Sequence, residues 1–287
     1  MHVAAHLPGN LPGAEFRRVA LAVAGLGLHS VWVGDHVVVP ASIAEPSGYP
    51  YAIGEPPPAD GLFPQTSFLE AVCTAAFLAA LGTGPRVGLG PLFLPPRDPA
   101  LLVAQLATVE RLLGTPLITA VDLGWLRGEF AALGVDFEHR ERRFGEAVRL
   151  LRENLATELW VTGNDEASLD RCARMGDGWH ALGLPPPEFR ARNERLTRRL
   201  ADLGRDPAAV PRTVACRLRL SRPEHEESTM RQLRAYAAAG CDLVVVLAAV
   251  GSDVDAGLGR LRRVARLAAL VRARCGEPAR SQPVGSR

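Results

Sequence analysis

Eight short apolar runs alternate along this chain with stretches whose apolar residues recur at helical spacing, and that alternation leaves few folds open. The runs expected as strands are 2–7, 30–34, 87–94, 117–123, 159–162, GDGWHALG at 176–183, 213–220 and 243–248. The stretches expected as helices are 14–26, 68–81, 99–113, 127–133, 140–155, 168–175, 187–203, 226–239 and 254–275. Such a sequence implies parallel pairing through right-handed crossovers, and the simplest closure is an α/β fold, a (β/α)8 TIM barrel. With 287 residues, 47% hydrophobic, the chain is expected as a single barrel over 1–276 with a disordered, polar, Pro-rich tail at 277–287. The segment 40–66 is rich in Pro, Gly, Ser, Glu and Tyr, too long for a simple connector, and is expected as an active-site lid.

Net charge is only +2, so no strong field argues for nucleic acid or a membrane surface, and a small-molecule partner is the default expectation. All 33 basic residues are Arg, which excludes a lysine Schiff base and leaves Arg as the cationic anion binder. The five cysteines are scattered and lack CxxC pairing, so neither a disulfide framework nor a thiolate metal site is supported. No signal region opens the sequence and no apolar run approaches membrane-spanning length, so a cytoplasmic location is expected. No metal site is expected, because no HxxxH or carboxylate cluster has ligand spacing.

The segment LHSVWVGDHVVVP at 28–40 is an apolar strand ending in an adjacent acid and imidazole, Asp35 and His36. In barrels of this kind the C-terminal strand ends carry the chemistry. A carboxylate and an imidazole there can bind a polar ring and move protons, although a solvent-capped strand end has the same spacing. His6 and His180 end other strands and are candidate substrate contacts; a hydrogen-bonded core histidine is the competing reading for each. Tyr49, Tyr51 and Phe63 in the long loop either stack on a bound ring or pin the loop to the barrel.

Several segments together resemble the luciferase-like superfamily, within it the actinobacterial oxidoreductases that use coenzyme F420. They are SVWVGDHVVVP at 30–40, YPYAIGEPPPADGLFP at 49–64, RVGLGPLFLPPRDPALLVAQLATVERL at 86–112, GWLRGEFAALGVDFEHRERRFGEAVRLLRE at 124–153, WVTGNDEASLDRCARMGDGW at 160–179 and AGCDLVVV at 239–246. The resemblance implies a deazaflavin F420 or FMN ring in the barrel mouth, a substrate beside it, and a homodimer. It implies that Asp35 and His36 face the ring, with His36 the proton donor or acceptor, and that Gly90 and Pro91 end the third strand in a tight bulge, often cis. It further implies that Thr162, Gly163 and Asn164 cradle the cofactor phosphate ahead of a helix, supported by Asp177 and Trp179. Arg97 either faces an anionic substrate or the cofactor tail, or is a solvated rim arginine.

The sequence also departs from that pattern. Relatives read LSGGR and then a glycine-rich strand of GVGVGW type, where this chain reads LLGTPLITAVDLGW. Thr115 and Pro116 replace Gly and Arg, Ala120 replaces one strand glycine, Asp122 another, Gly124 is retained, and Gln105 stands where relatives have Lys. A buried acid beside a phosphate-bearing ligand is costly unless protonated or paired, so Asp122 implies either a new catalytic role or decayed cofactor binding. The lid and hairpin that relatives place before the strand at Trp160 is missing. Three functions stay open: hydride transfer with F420 or FMN, a cofactor-free acid–base enzyme using His36 and Asp122, and a non-catalytic partner subunit.

Overall fold

In a computed structural model, which describes residues 1–38, 68–82, 84–220, 222, 224–247 and 253–274, eight parallel strands close into one barrel in sequence order. The strands are β1 (His2–Leu7), β2 (Ser30–Val33), β3 (Arg86–Phe93), β4 (Ile118–Asp122), β5 (Glu158–Thr162), β6 (Gly178–Leu182), β7 (Arg212–Cys216) and β8 (Leu243–Leu247). Around them lie α1 (Gly13–Ala24), α2 (Ala71–Leu81), α3 (Pro99–Leu113), α4 (Arg127–Ala132), α5 (Arg140–Asn154), α6 (Glu166–Met175), α7 (Pro186–Asp202), α8 (His225–Ala238) and α9 (Val254–Arg274). The expected (β/α)8 barrel is the fold observed.

Side chains alternate between two cores, as strand geometry demands. One parity packs outward under the helices, with Val3, Val31, Val87, Val121, Val161, Val214 and Val244 in the larger cluster. The other fills the lumen with Ala4, Trp32, Ile118, Ala120, Trp160, Leu182, Ala215, Leu243 and Val245. Glycines make room for the two indoles: a Cβ on Gly88 would lie 2.4 Å from the Trp32 ring, and one on Gly178 would lie 2.6 Å from Trp160. Trp32 is tethered as well as packed, its Nε1 donating to Ser30 Oγ at 2.9 Å.

Several boundaries follow from capping chemistry. Asp98 accepts from Leu101 N at 2.8 Å and Pro99 opens α3, so that helix begins where the sequence predicts. Helix α2 starts at Ala71, later than the expected Phe68, because Glu70 takes the N-cap position and accepts from Cys73 N at 2.7 Å. Strand β7 stops at Cys216, short of the expected Leu220. Strand β3 runs on to Phe93, so Gly90 and Pro91 lie within it; their peptide bond is cis and the β3–β4 register shifts between Leu89 and Leu92. Residues 155–157 alone join α5 to β5, in keeping with the missing lid. The expected lid at 40–66, with Tyr49, Tyr51 and Phe63, and the expected tail at 277–287 lie outside the described residues.

Candidate active site

His36 follows β2 at the C-terminal mouth and is 7% exposed. Phe68, Phe93 and Trp125 surround its imidazole at ring-centroid distances of 5.6, 5.5 and 6.4 Å. Glu129 Oε2 lies 3.2 Å from His36 Nδ1, while Oε1 accepts from Val37 N at 2.6 Å and Val38 N at 3.2 Å. Glu129 sits in the first turn of α4 and is 1% exposed, so one buried carboxylate orders the whole exit of β2. A carboxylate accepting at both oxygens places the imidazole proton on Nδ1. Sequence reasoning missed Glu129 because an acid in a helix's first turn is ordinarily explained by the helix dipole alone. The signal was its place in GWLRGEF, directly after a strand end.

Asp35, expected to face a ring, is committed to the protein instead. Its Oδ2 accepts from Phe93 N at 3.0 Å and its Oδ1 pairs with Arg97 at 2.5 Å. Burial pushes its carboxyl above the usual range, while Arg97 and the Phe93 amide pull it back. Arg97 is neither a solvated rim residue nor an open anion site: it is 10% exposed and bridges Asp35 to Glu70, the latter at 2.9 Å. The triad joins the ends of β2 and β3 to the start of α2, a function of Glu70 that its sequence position did not signal.

Asp122 ends β4 on the lumen-facing parity of Ile118 and Ala120. Its Oδ1 accepts from Gly124 N at 2.9 Å, and Gly124 takes φ +81°, where a Cβ would lie 2.9 Å from the Phe130 ring. Burial pushes the Asp122 carboxyl up to about 6 despite the Gly124 amide and nearby Arg171. The group can therefore hold or release a proton close to neutrality.

Part of the loop expected to cradle phosphate is tied down from within. Gly163 N donates to His180 O at 3.2 Å, Asn164 exchanges hydrogen bonds with the Leu182 backbone at 2.6 and 2.9 Å, and Asn164 O accepts from Arg192 at 2.7 Å. Asp165 caps α6, accepting from Ser168 N at 2.7 Å, and Glu166 adds a second acid in that turn. Burial disfavours the Asp165 carboxylate, but Ser168 and Arg171 outweigh it and hold the group below the usual range. Trp179 faces the helices, stacking on Phe189 at 5.0 Å and donating to Gly163 O at 2.8 Å, so it supports the loop from behind and does not line the mouth. Asp177 accepts from Leu159 N at 3.0 Å and pairs with Arg152.

His6 and His180 both lie on lumen parity. His180 stacks on Trp32 at 4.9 Å and 5°, and burial drives its pKa down to about 3, with His6 adding to the effect. His6 hydrogen-bonds the Gly90 backbone, its pKa driven down to about 4 by burial, and its Nε2 would lie 3.0 Å from a Cβ on Gly34. They are neutral groups of the chamber beneath the mouth. Among the described residues no cluster of three His, Cys, Asp or Glu could hold a metal ion, and no helix is long and apolar enough to cross a membrane.

The family model for luciferase-like monooxygenases matches residues 1–269. The chain belongs to the luciferase-like monooxygenase family. Among curated relatives, the FMNH2-dependent dimethylsulfone monooxygenase of Pseudomonas putida is 30% identical over 147 residues, covering 50% of this chain and 39% of that protein. The Pseudomonas fluorescens (strain Pf0-1) enzyme of the same name is 30% identical over 57% of this chain and 52% of its own length. The chain thus spans about half or less of these two relatives. Among solved structures, an F420-dependent secondary alcohol dehydrogenase in complex with an F420-acetone adduct superposes with TM-score 0.70 at 12% identity, covering 93% of this chain and 98% of that one. The oxygenating constituent of 3,6-diketocamphane monooxygenase from Pseudomonas putida, in complex with FMN, gives 0.68 at 11% identity over 93% and 97%. At these identities the superpositions establish the fold alone.

Proposed function

We propose that this luciferase-like barrel is an oxidoreductase that binds the ring of deazaflavin F420 or of FMN in its mouth and acts on a small organic substrate. The observation that carries the reading is the His36–Glu129 pair: a buried imidazole with one nitrogen fixed by a carboxylate and an aromatic wall of Phe68, Phe93 and Trp125 around it. That wall suits a planar ring, which when bound would supply hydride chemistry. Glu129 orients the imidazole, His36 Nε2 moves the accompanying proton, and the Asp35–Arg97–Glu70 bridge keeps the strand ends from shifting under it. Any phosphate would approach the start of α6 beside Arg171, against the carboxylates of Asp122 and Asp165. Those two acids favour a second reading, in which the barrel works without a flavin and Asp122 and His36 act as acid and base.

The test is cofactor-dependent absorbance change on a panel of small alcohols, ketones and sulfones, with His36→Ala as control. Turnover that needs F420 or FMN and is lost in His36→Ala supports the first reading; turnover without either cofactor supports the second. The homodimer belongs to the same reading. Leu101 and Leu112, 59% and 60% exposed on α3, provide apolar surface for it, and sedimentation velocity decides it.

A further inference from the structure

Two buried side-chain atoms in the lumen, His180 Nε2 and Thr162 Oγ1, have no hydrogen-bond partner among the described residues. The residues are register partners on β6 and β5, on the parity that Trp160 and Leu182 direct into the lumen. His180 is fully buried and Thr162 is 3% exposed. A buried polar atom left unpaired costs about 1–3 kcal/mol, and folded proteins leave few of them, so two on adjacent positions mark a place for a missing partner.

The surrounding hydrogen bonds fix what that partner must be. Thr213 Oγ1 lies 2.9 Å from the carbonyl of Trp179, and a carbonyl only accepts, so the single hydroxyl proton of Thr213 is committed there. His180 Nδ1, 2.9 Å from the same oxygen, must then donate to it. The imidazole is neutral, since burial keeps its pKa about 3, and its one ring proton is thereby placed on Nδ1. Nε2 is a bare, buried acceptor and needs a donor. Thr162 Oγ1 can donate and accept. Trp32, stacked on His180, closes the place with an apolar ring.

We infer that Thr162 and His180 form a subsite for the hydroxyl of an uncharged alcohol, whose O–H donates to His180 Nε2 while its oxygen accepts from Thr162 Oγ1. A ketone, carboxylate or sulfonate oxygen only accepts and leaves Nε2 unpaired. Binding rests on the two unpaired atoms and their donor and acceptor capacities; that the alcohol is the substrate rests on the function proposed above. A structural water offers the same hydroxyl chemistry, and the experiment separates the two sources.

The experiment is 15N NMR of histidine-labelled, full-length, cofactor-free protein titrated with 2-propanol and cyclohexanol, then with acetone and cyclohexanone. The expected result is a His180 protonated at Nδ1, whose Nε2 resonance moves saturably with the alcohols and not with the ketones. Thr162→Val weakens the alcohol response about tenfold, the worth of one hydrogen bond, while Thr162→Ser retains it. Thr213→Val frees the ring to carry its proton on Nε2 and lets the ketones bind. Three results overturn the inference: a proton on Nε2 in the unaltered protein, ketones acting as well as alcohols, or an Nε2 already hydrogen-bonded and unmoved by either alcohol, which assigns the place to water. No cofactor is in the tube, so a failure of F420 and FMN to bind leaves this signal intact.

Discussion

Glu129 reaches 3.2 Å from Nδ1 of His36 across 93 residues of sequence, and in doing so ties the first turn of α4 to the exit of β2. The same carboxylate accepts two backbone amides, from Val37 and Val38, so it is both the orienting partner of the imidazole and the clamp on its loop.

Removing that carboxylate should therefore have two separable effects. Glu129→Ala takes the acceptor away from two amides and from His36 Nδ1 in a buried place and is expected to cost about 3–5 kcal/mol, read as a fall in the denaturant midpoint. Glu129→Gln keeps acceptors for the amides and should cost about 1–2 kcal/mol, while freeing the His36 tautomer and shifting any pH–rate profile. Equal destabilisation by both variants would contradict the assignment of the clamp to the amide contacts.

The Asp35–Arg97 pair offers a double-mutant cycle. Asp35 is fully buried at its side chain and Arg97 nearly so, and breaking a buried pair from one side typically costs about 3–5 kcal/mol. Arg97→Met should fall in that range, and adding Asp35→Asn should recover a large part of the loss. Simple additivity in urea unfolding would mean the two groups do not depend on each other.

Asp122 should make stability fall as pH rises. Its native pKa, raised by burial to about 6, lies above the 3.8 of the unfolded chain, so between those values the native state binds more protons than the unfolded one. Ionisation then opposes folding by at most about 3 kcal/mol, less what water screens at this partly exposed group. Asp122→Asn should be the more stable form at pH 7.5 and should flatten the decline in melting temperature between pH 4 and 6. An unchanged slope there would contradict the raised pKa of this carboxylate.

Gly163 holds φ +130°, and a Cβ there would lie 2.1 Å from Ser168 Oγ, itself bonded to Asp165 at 2.5 Å. Gly163→Ala should cost about 2–4 kcal/mol through strain and overpacking together. Calorimetric unfolding at the unaltered melting temperature would show that the loop yields freely.

The barrel was legible because each strand and helix carries its own period, and α3 was legible to the residue because Asp98, Pro99 and Gly114 punctuate it. Asp35 and His36 were legible as a rim pair, since they directly follow an apolar strand. Their partners were not. Glu129 and Glu70 read locally as solvated helix and loop charges, and Arg97 as an anion contact or a rim arginine; only closure of the barrel carries them into contact at the mouth. The role of the loop at Thr162 to Asn164 was not legible for a different reason: a helix N-terminus that can take a phosphate can equally take the carboxylate of its own Asp165, and sequence spacing does not separate the two. Trp179 holds that loop from the helix side, one residue away from the lumen face that His180 occupies.

The central claim is that the mouth around His36 binds a flavin-type ring, and anaerobic calorimetric titration with F420 and FMN, each oxidised and reduced, tests it most directly. The account predicts saturable one-to-one binding of one cofactor, weakened when Phe93 or Trp125 is replaced by Ala. Heats of dilution alone for all four forms would contradict it and leave the barrel to the cofactor-free reading.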